Sequence, residues 1–306
     1  MSVDDIIAEI KRAKKYSSVD INALSRICAD FIPRYAKSGD VVKAVKKELH
    51  IIYGSFLTSK CHKQAQSLIA DYPGDDIYAD GNFAAQLLAL HVSTLERAGQ
   101  AAEIYGFAGG FIKPGDALAD IGCGFNPFAL PLFMNRPKSY AAYDICSRTV
   151  DLINLYFNNR AQAAVSGPNE RLQGAVVNAG DGAGDGAKRD GIGSAGIGAN
   201  AEPRSHYAKV LDAVAQTPDC KADVVFMFKL FPLLEQQKKG RGFELLREMR
   251  FRDALISFPT KSASGRDRGM ADFYTKMFTN GLPEGLTITS RTVFDNELFF
   301  AIKKLK

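Results

Sequence analysis

From Asp116 to the C-terminus, short apolar runs alternate with longer amphipathic stretches. The spacing predicts strands at Asp116–Ile121, Tyr140–Asp144, Lys209–Leu211, Asp223–Phe228, Ala254–Ser257, Leu286–Ser290 and Glu297–Ile302. Helices are expected between them at Pro127–Met134, Ser147–Asn159, Leu233–Met249 and Met270–Thr279. Parallel strands need crossover connections, and a helix of this length supplies one, so the expected fold class is α/β with an open, mostly parallel, doubly wound Rossmann-like sheet. One stretch breaks the rhythm. Residues 166–205 are rich in Gly, Ala, Asp and Asn, with too few apolar side chains to form a core, and read as a flexible surface insertion. Its Asp/Gly repeat lacks the terminal Glu and flanking helices of an EF-hand. Five cysteines are odd in number and widely spaced, so no disulfide framework and no zinc site are indicated; no metal is expected.

The first hundred residues carry helical rather than alternating patterns, giving an N-terminal helical domain over 1–75, closed by Pro73-Gly74, and a second domain over 76–306 that opens with a helix from Asn82 to Ala98. Charge divides the chain differently. Residues 1–65 hold 12 Lys/Arg against 7 Asp/Glu, residues 66–228 hold 12 against 18, and residues 229–306 hold 15 against 9, for a net charge of +5. Two basic ends around an acidic middle suit a polyanionic partner gripped from both sides. Between Asp40 and Tyr53 the apolar Val41, Val45, Leu49 and Ile52 fall on one helical stripe, with Lys43, Lys46, Lys47 and His50 on another. Lys11, Arg12, Lys14 and Lys15 form a second basic cluster nearby, and lysines so grouped are candidates for phosphate contacts. No stretch is long and apolar enough to span a membrane, and no cleavable leader is recognisable, which places the chain in the cytoplasm.

Asp120-Ile121-Gly122-Cys123-Gly124 closes the first expected strand and opens into a helix. Glycines there let backbone approach a ligand, and a helix N-terminus favours an anionic group. Proline stands at 127, where a dinucleotide fingerprint needs glycine, which argues against NAD. Asp144, at the end of the next strand, stands where such folds present a carboxylate to ribose hydroxyls. Together these features fit an adenosyl cofactor without phosphates.

The ordered set of motifs resembles the aminoglycoside-resistance methyltransferases (Arm/Rmt/Sgm-like) that modify N7 of a guanine in the decoding region of 16S rRNA. Residues 42–50 with Tyr53-Gly54 look like that family's N-terminal RNA-binding domain. His91-Val92-Ser93-Thr94-Leu95-Glu96-Arg97 is similar to a segment whose arginine contacts the cofactor carboxylate, which makes Arg97 a candidate. Gly122-Cys123-Gly124-Phe125-Asn126-Pro127-Phe128-Ala129-Leu130 resembles the cofactor loop, with Phe125 and Phe128 where leucine is more usual. Val210-Leu211-Asp212, Ala222-Asp223-Val224 and Lys229-Leu230-Phe231-Pro232-Leu233-Leu234-Glu235 keep the family's order, as do Ser257 to Ser262, Gly265-Arg266, Gly269-Met270, Tyr274 and Asn296-Glu297-Leu298.

The resemblance implies a class I methyltransferase that uses S-adenosyl-L-methionine. Arg97, Gly122, Gly124, Asp144 and Asp212 would hold the donor, with Asp212 on the adenine side. Lys229 and Glu235 are the candidate catalytic positions, orienting base and cofactor; a structural Lys229–Glu235 pair is the other reading of those two residues. Lys14, Lys15, Lys43, Lys46, Lys47, Lys261 and Arg266 are the candidate RNA contacts, the partner being the small ribosomal subunit and the protein a monomer. Guanine N7 carries no proton, so no general base is required, and none is recognisable. Two rivals remain at this level: a methyltransferase for another rRNA position, and a ribosome-binding protein without catalysis.

Overall fold

The computed structural model describes residues 2–57, 60–74, 76–165, 205–261 and 269–305. Three helices, α1 (Val3–Lys11), α2 (Ile21–Phe31) and α3 (Ser38–Ile52), open the chain. Ser2 caps α1 in a capping box with Asp5, and Asp20 caps α2 through the Ala23 amide, so both helices start where a side-chain oxygen satisfies a free N–H. The stripe of Val41, Val45, Leu49 and Ile52 is buried against Ile6, Ile10, Leu24 and Ile27. Lys43 and Lys47 point to solvent on the other side of α3. Helix α4 (Cys61–Ala70) contributes Cys61, Ala65 and Ile69 to the larger core around the sheet. Helices α5 (Gly81–Leu88), α6 (Val92–Leu95) and α7 (Ala101–Gly109) then lead into that sheet, in place of a continuous helix from Asn82 to Ala98.

The sheet has seven strands: β1 (Ala117–Ile121), β2 (Ser139–Asp144), β3 (His206–Val210), β4 (Val224–Phe228), β5 (Asp253–Pro259), β6 (Leu286–Phe294) and β7 (Glu297–Lys304). Their order is β3-β2-β1-β4-β5-β7-β6. The first five strands are parallel, whereas β7 runs antiparallel to both β5 and β6. This is the doubly wound sheet expected from the sequence, with a reversed hairpin at one edge. The order turns back between β1 and β4, so the carboxyl ends of β1, β2, β3 and β4 surround the switch point where such folds bind ligands. Because β7 is antiparallel, its first residue, Glu297, pairs with Pro259 at the carboxyl end of β5.

Helices α8 (Ser147–Val165), α9 (Phe231–Gln237), α10 (Arg241–Glu248) and α11 (Met270–Gly281) complete the layers. Two expected helices differ from the reading above. Asn126–Leu132 is a 3-10 segment: it carries proline near its start and again at Pro131, where a missing N–H prevents a regular α-helix. The helix expected over Leu233–Met249 is two, parted at Gly240, whose φ of 85° lies in the left-handed region. The glycine-rich residues 166–204 lie outside the described residues.

The N-terminal helices are stitched to the sheet at one place. Val19 bridges Cys146, the Asp20 amide donates to the Ile145 carbonyl (3.0 Å), and the Ser147 amide donates to the Ser18 carbonyl (2.9 Å). Cys146 lies in the N-terminal core rather than the sheet core. The β2–α8 turn, which follows Asp144, is therefore fixed by the N-terminal helices.

Candidate cofactor cavity and RNA-facing groove

A cavity with an empty volume of about 950 Å³ opens at the carboxyl ends of β1, β2, β3 and β4. Its rear wall is the turn after β1. Gly122 and Gly124 have φ of 64° and 50°, and a Cβ on Gly122 would stand 2.8 Å from Leu230, so glycine is needed for both conformation and space. The Gly124 amide donates to Asp144 Oδ2 (3.0 Å) and the Cys146 amide to Asp144 Oδ1 (2.8 Å). Burial raises the Asp144 carboxyl above its ordinary range, against the pull of these two amides. The expected α-helix N-terminus after the glycine loop is absent, because the 3-10 segment stands there and Asp144 accepts the loop amide. The anion-binding expectation for that loop is corrected accordingly.

Asp212 faces the same cavity from the segment after β3. Its carboxylate accepts from the Val214 amide (3.0 Å) and from two nitrogens of Arg26 in α2, Nε at 2.7 Å and Nη2 at 3.2 Å. Arg26 Nη2 also donates to Gln237 Oε1 (2.9 Å). Ile52, Tyr53 and Phe56 form a further wall, so the N-terminal region supplies part of the cavity. His91 lines it as well, its ring 4.9 Å from and nearly parallel to that of Phe125; burial lowers its pKa to about 3, which leaves it neutral.

Lys229 and Arg97 meet in one charge network. Glu297 is fully buried and accepts from Arg97 Nε (2.7 Å) and Nη2 (2.8 Å) and from the Ser257 hydroxyl, with Lys229 Nζ at 3.4 Å. Lys229 Nζ also donates to Glu96 (2.6 Å). Burial pushes the Glu297 carboxyl up, and the charges of Arg97 and Lys229 with the hydrogen bonds outweigh it, so its pKa lies below the ordinary value. Lys229 itself has φ of 55°, left-handed for a side-chain-bearing residue, and its amide donates to the Ser257 carbonyl (3.1 Å) and hydroxyl (2.9 Å).

The sequence-level roles are thus divided. Gly122, Gly124, Asp144, Asp212 and Lys229 line the cavity. Arg97 is 2% exposed and does not; its guanidinium is taken by Glu297, Tyr105 and Asn126. Glu235 caps α10, accepting from the amides of Gly240 (2.7 Å) and Gly242 (2.9 Å), so it neither pairs with Lys229 nor reaches the cavity. Lys229 pairs instead with Glu96 and Glu297. Lys14 and Lys15 line a separate groove with Lys60, His62, Lys63 and Arg148, while Lys43, Lys46 and Lys47 lie along α3. Lys261 is exposed and pairs with Asp295 (3.2 Å). Arg266 lies outside the described residues.

The sequence of this chain matches the family described as "Ribosomal RNA methyltransferase (FmrO)" over residues 12–172 and 200–299. The chain belongs to that family. It is 27% identical to a 16S rRNA (guanine(1405)-N(7))-methyltransferase of Serratia marcescens, over 99% of each chain. A relative from Proteus mirabilis with the same description is 25% identical, over 99% of this chain and 98% of its own. Among solved structures, the 16S rRNA methyltransferase RmtF in complex with S-adenosyl-L-homocysteine is 27% identical with a TM-score of 0.76, covering 99% of both chains. The class I methyltransferase fold is common to them.

The cavity fits an adenosyl donor on its own chemistry. Among its lining residues, Lys229 is the one lysine or arginine, and two carboxylates hold its Nζ, leaving no cluster of basic side chains for phosphates. Two acids stand ready to accept from hydroxyl or amino groups, between apolar walls from Tyr53, Phe56, Leu211 and Leu234.

Asp120 lies one residue before this wall, fully buried. Tyr140 donates to its Oδ2 (2.8 Å), and Asn126 lies beside the carboxyl. Burial, partly opposed by hydrogen bonds from Tyr140 and Asn126, pushes its carboxyl up to about 7. A carboxyl raised on folding contributes stability that is full below its unfolded value, about 4, and lost as pH rises through its folded one. In Asp120→Asn, the decline of urea-unfolding free energy between pH ~4 and ~7 is expected to flatten. A slope equal to that of the parent protein contradicts the assignment.

Proposed function

We propose that this chain transfers the methyl group of S-adenosylmethionine to N7 of a guanine in the decoding region of 16S rRNA, within the small ribosomal subunit. The observation that carries the reading is the cavity bounded by Gly122, Gly124, Asp144 and Asp212, with no cluster of basic side chains in its lining, in a chain that matches its family almost end to end. The named activity of the Serratia and Proteus relatives, aligned over nearly the whole chain, supports the choice of base and position.

Bound there, S-adenosylmethionine supplies an electrophilic methyl group on a cationic sulfur. Asp144 would accept from its ribose hydroxyls and Asp212 from its adenine amino group. The nucleophile is the N7 lone pair; as its bond to the methyl carbon forms, the carbon–sulfur bond breaks and no proton moves. Catalysis therefore rests on alignment rather than on acid–base chemistry. Lys229, held by Glu96 and Glu297, acts as a fixed donor at the cavity edge, and pairing the cations Arg97 and Lys229 with Glu96 and Glu297 leaves no net charge against the sulfonium. A methyl group on N7 removes a hydrogen-bond acceptor and adds a positive charge to the guanine, which disfavours docking of a polycationic aminoglycoside and gives resistance.

The N-terminal helical region, residues 1–75, docks on rRNA through phosphate contacts, and the second region extracts the guanine from its stack. The groove lined by Lys14, Lys15, Lys60, Lys63 and Arg148 joins both regions and suits a nucleic-acid backbone. Lys60, Lys63 and Arg148 were not separable in sequence from ordinary surface charges; only the fold gathers them.

Purified small subunits incubated with labelled S-adenosylmethionine are expected to gain one N7-methylguanine, in the decoding region. Asp144→Asn is expected to weaken S-adenosylhomocysteine binding by about tenfold, a loss of one charge-assisted hydrogen bond. A different modified nucleotide, or none, contradicts the reading. Reversing Lys14, Lys15, Lys60 and Lys63 to Glu is expected to weaken small-subunit binding and reduce its salt dependence while S-adenosylhomocysteine affinity stays within about twofold. Unchanged subunit binding would remove the groove from the RNA path.

A further inference from the structure

Arg26 is absent from every motif discussed above, yet it bonds two residues of the cavity lining from far away in sequence. It projects from the middle of α2, reaches Asp212 with two nitrogens at 2.7 and 3.2 Å, and holds Gln237 of α9 at 2.9 Å. Its side chain is 21% exposed, and that of Asp212 4%. The first residue before α2, Asp20, is tied to the Ile145 carbonyl in the turn after Asp144. One N-terminal helix thus contacts the segments carrying both cavity acids.

We propose that Arg26 is a positioning residue for the cofactor, fixing Asp212 and coupling the seating of the N-terminal helices on RNA to occupancy of the cavity. The inference rests on the reading of this cavity as the S-adenosylmethionine site. An ionised carboxylate offers about four acceptor positions. Arg26 takes two and the Val214 amide a third, so one remains for an exocyclic amine of an adenine ring. The planar fork of a guanidinium fixes both oxygens at once, which sets the direction of that remaining lone pair. The tie works in both directions. Cofactor against Asp212 restrains Arg26 and with it α2; RNA pressing on the N-terminal helices sets the position of α2 and thereby of Asp212. Ile52, Tyr53 and Phe56 belong to the same N-terminal unit and wall the same cavity. Linkage then requires that RNA and cofactor change each other's affinity by the same factor.

The test uses the full chain and two binding measurements: calorimetry with S-adenosylhomocysteine, and small-subunit binding with and without saturating S-adenosylhomocysteine. Arg26→Ala is expected to weaken S-adenosylhomocysteine by about tenfold. Asp212→Asn is expected to do so similarly, and the double variant no more than either alone, since both remove one unit. In the parent protein saturating ligand is expected to tighten small-subunit binding by about fivefold or more, and in Arg26→Ala that factor falls to about one. Arg26→Lys, which keeps the charge without the fork, is expected to fall between the two and serves in place of the alanine variant if that fails to fold. A bridge that only joined two regions would lower the unfolding midpoint while leaving the coupling factor intact. Affinity within about twofold of the parent, additive losses in the double variant, or an unchanged coupling factor each overturn the proposal. Absence of binding by the parent protein would overturn instead the reading of the cavity.

Discussion

A fully buried carboxylate needs compensation from every side, and the Glu297 network draws together four separate stretches of chain, its own included. Arg97 arrives from the segment before α7, Lys229 from the end of β4, Ser257 from β5, and Glu297 itself from the start of β7. Desolvating two charges is costly, and their attraction offsets that cost only when geometry and hydrogen bonding are complete. Here they are: the guanidinium is bidentate on the carboxylate, with its third nitrogen shared between Tyr105 and Asn126. Reversing the direction of β7 places Glu297 at the ligand-binding edge of the sheet, and no parallel strand in that position could begin there. The left-handed backbone of Lys229 is held by the same neighbour, Ser257, that donates to Glu297.

From this floor the cavity is built outward by elements of two origins. The sheet provides the glycine turn and both acids, while the N-terminal helices provide the Tyr53–Phe56 wall and the arginine on Asp212. A cavity shared in this way gives the basic helices a part in building it. Positive charge supplies affinity for the phosphate backbone without choosing a base. Base choice has to come from the shape and charge of the cavity mouth, where the pairing of cations with carboxylates leaves a neutral setting for reaction of a sulfonium with a lone pair.

Much of this was legible in the sequence because local rules and global fold agree. The alternation of strand and helix gave the sheet, the stripe of Val41, Val45, Leu49 and Ile52 gave α3, and the glycine turn with Asp144 gave one end of the cavity. What was misread depended on non-local pairing. Arg97 and Glu297 are 200 positions apart, and a lone acidic residue opening the apolar run Leu298 to Ile302 was the one available sign that a buried cation lay elsewhere. Glu235 looked functional by its motif and turns out to cap the next helix, a role that the glycine at 240 signalled. A helix was expected over Pro127–Met134, and Pro131, inside that stretch, was the available sign against it. Arg26 carried no local mark at all.

The dependence of the cavity on its buried floor is most directly tested by Glu297→Gln, which keeps shape and removes charge. Urea unfolding of the variant at neutral pH is expected to show a loss of ~3–5 kcal/mol, because Arg97 is left as a buried cation without its counter-charge. A loss of less than about 1 kcal/mol, within the range of ordinary surface substitutions, would show that the network is not what holds the site together.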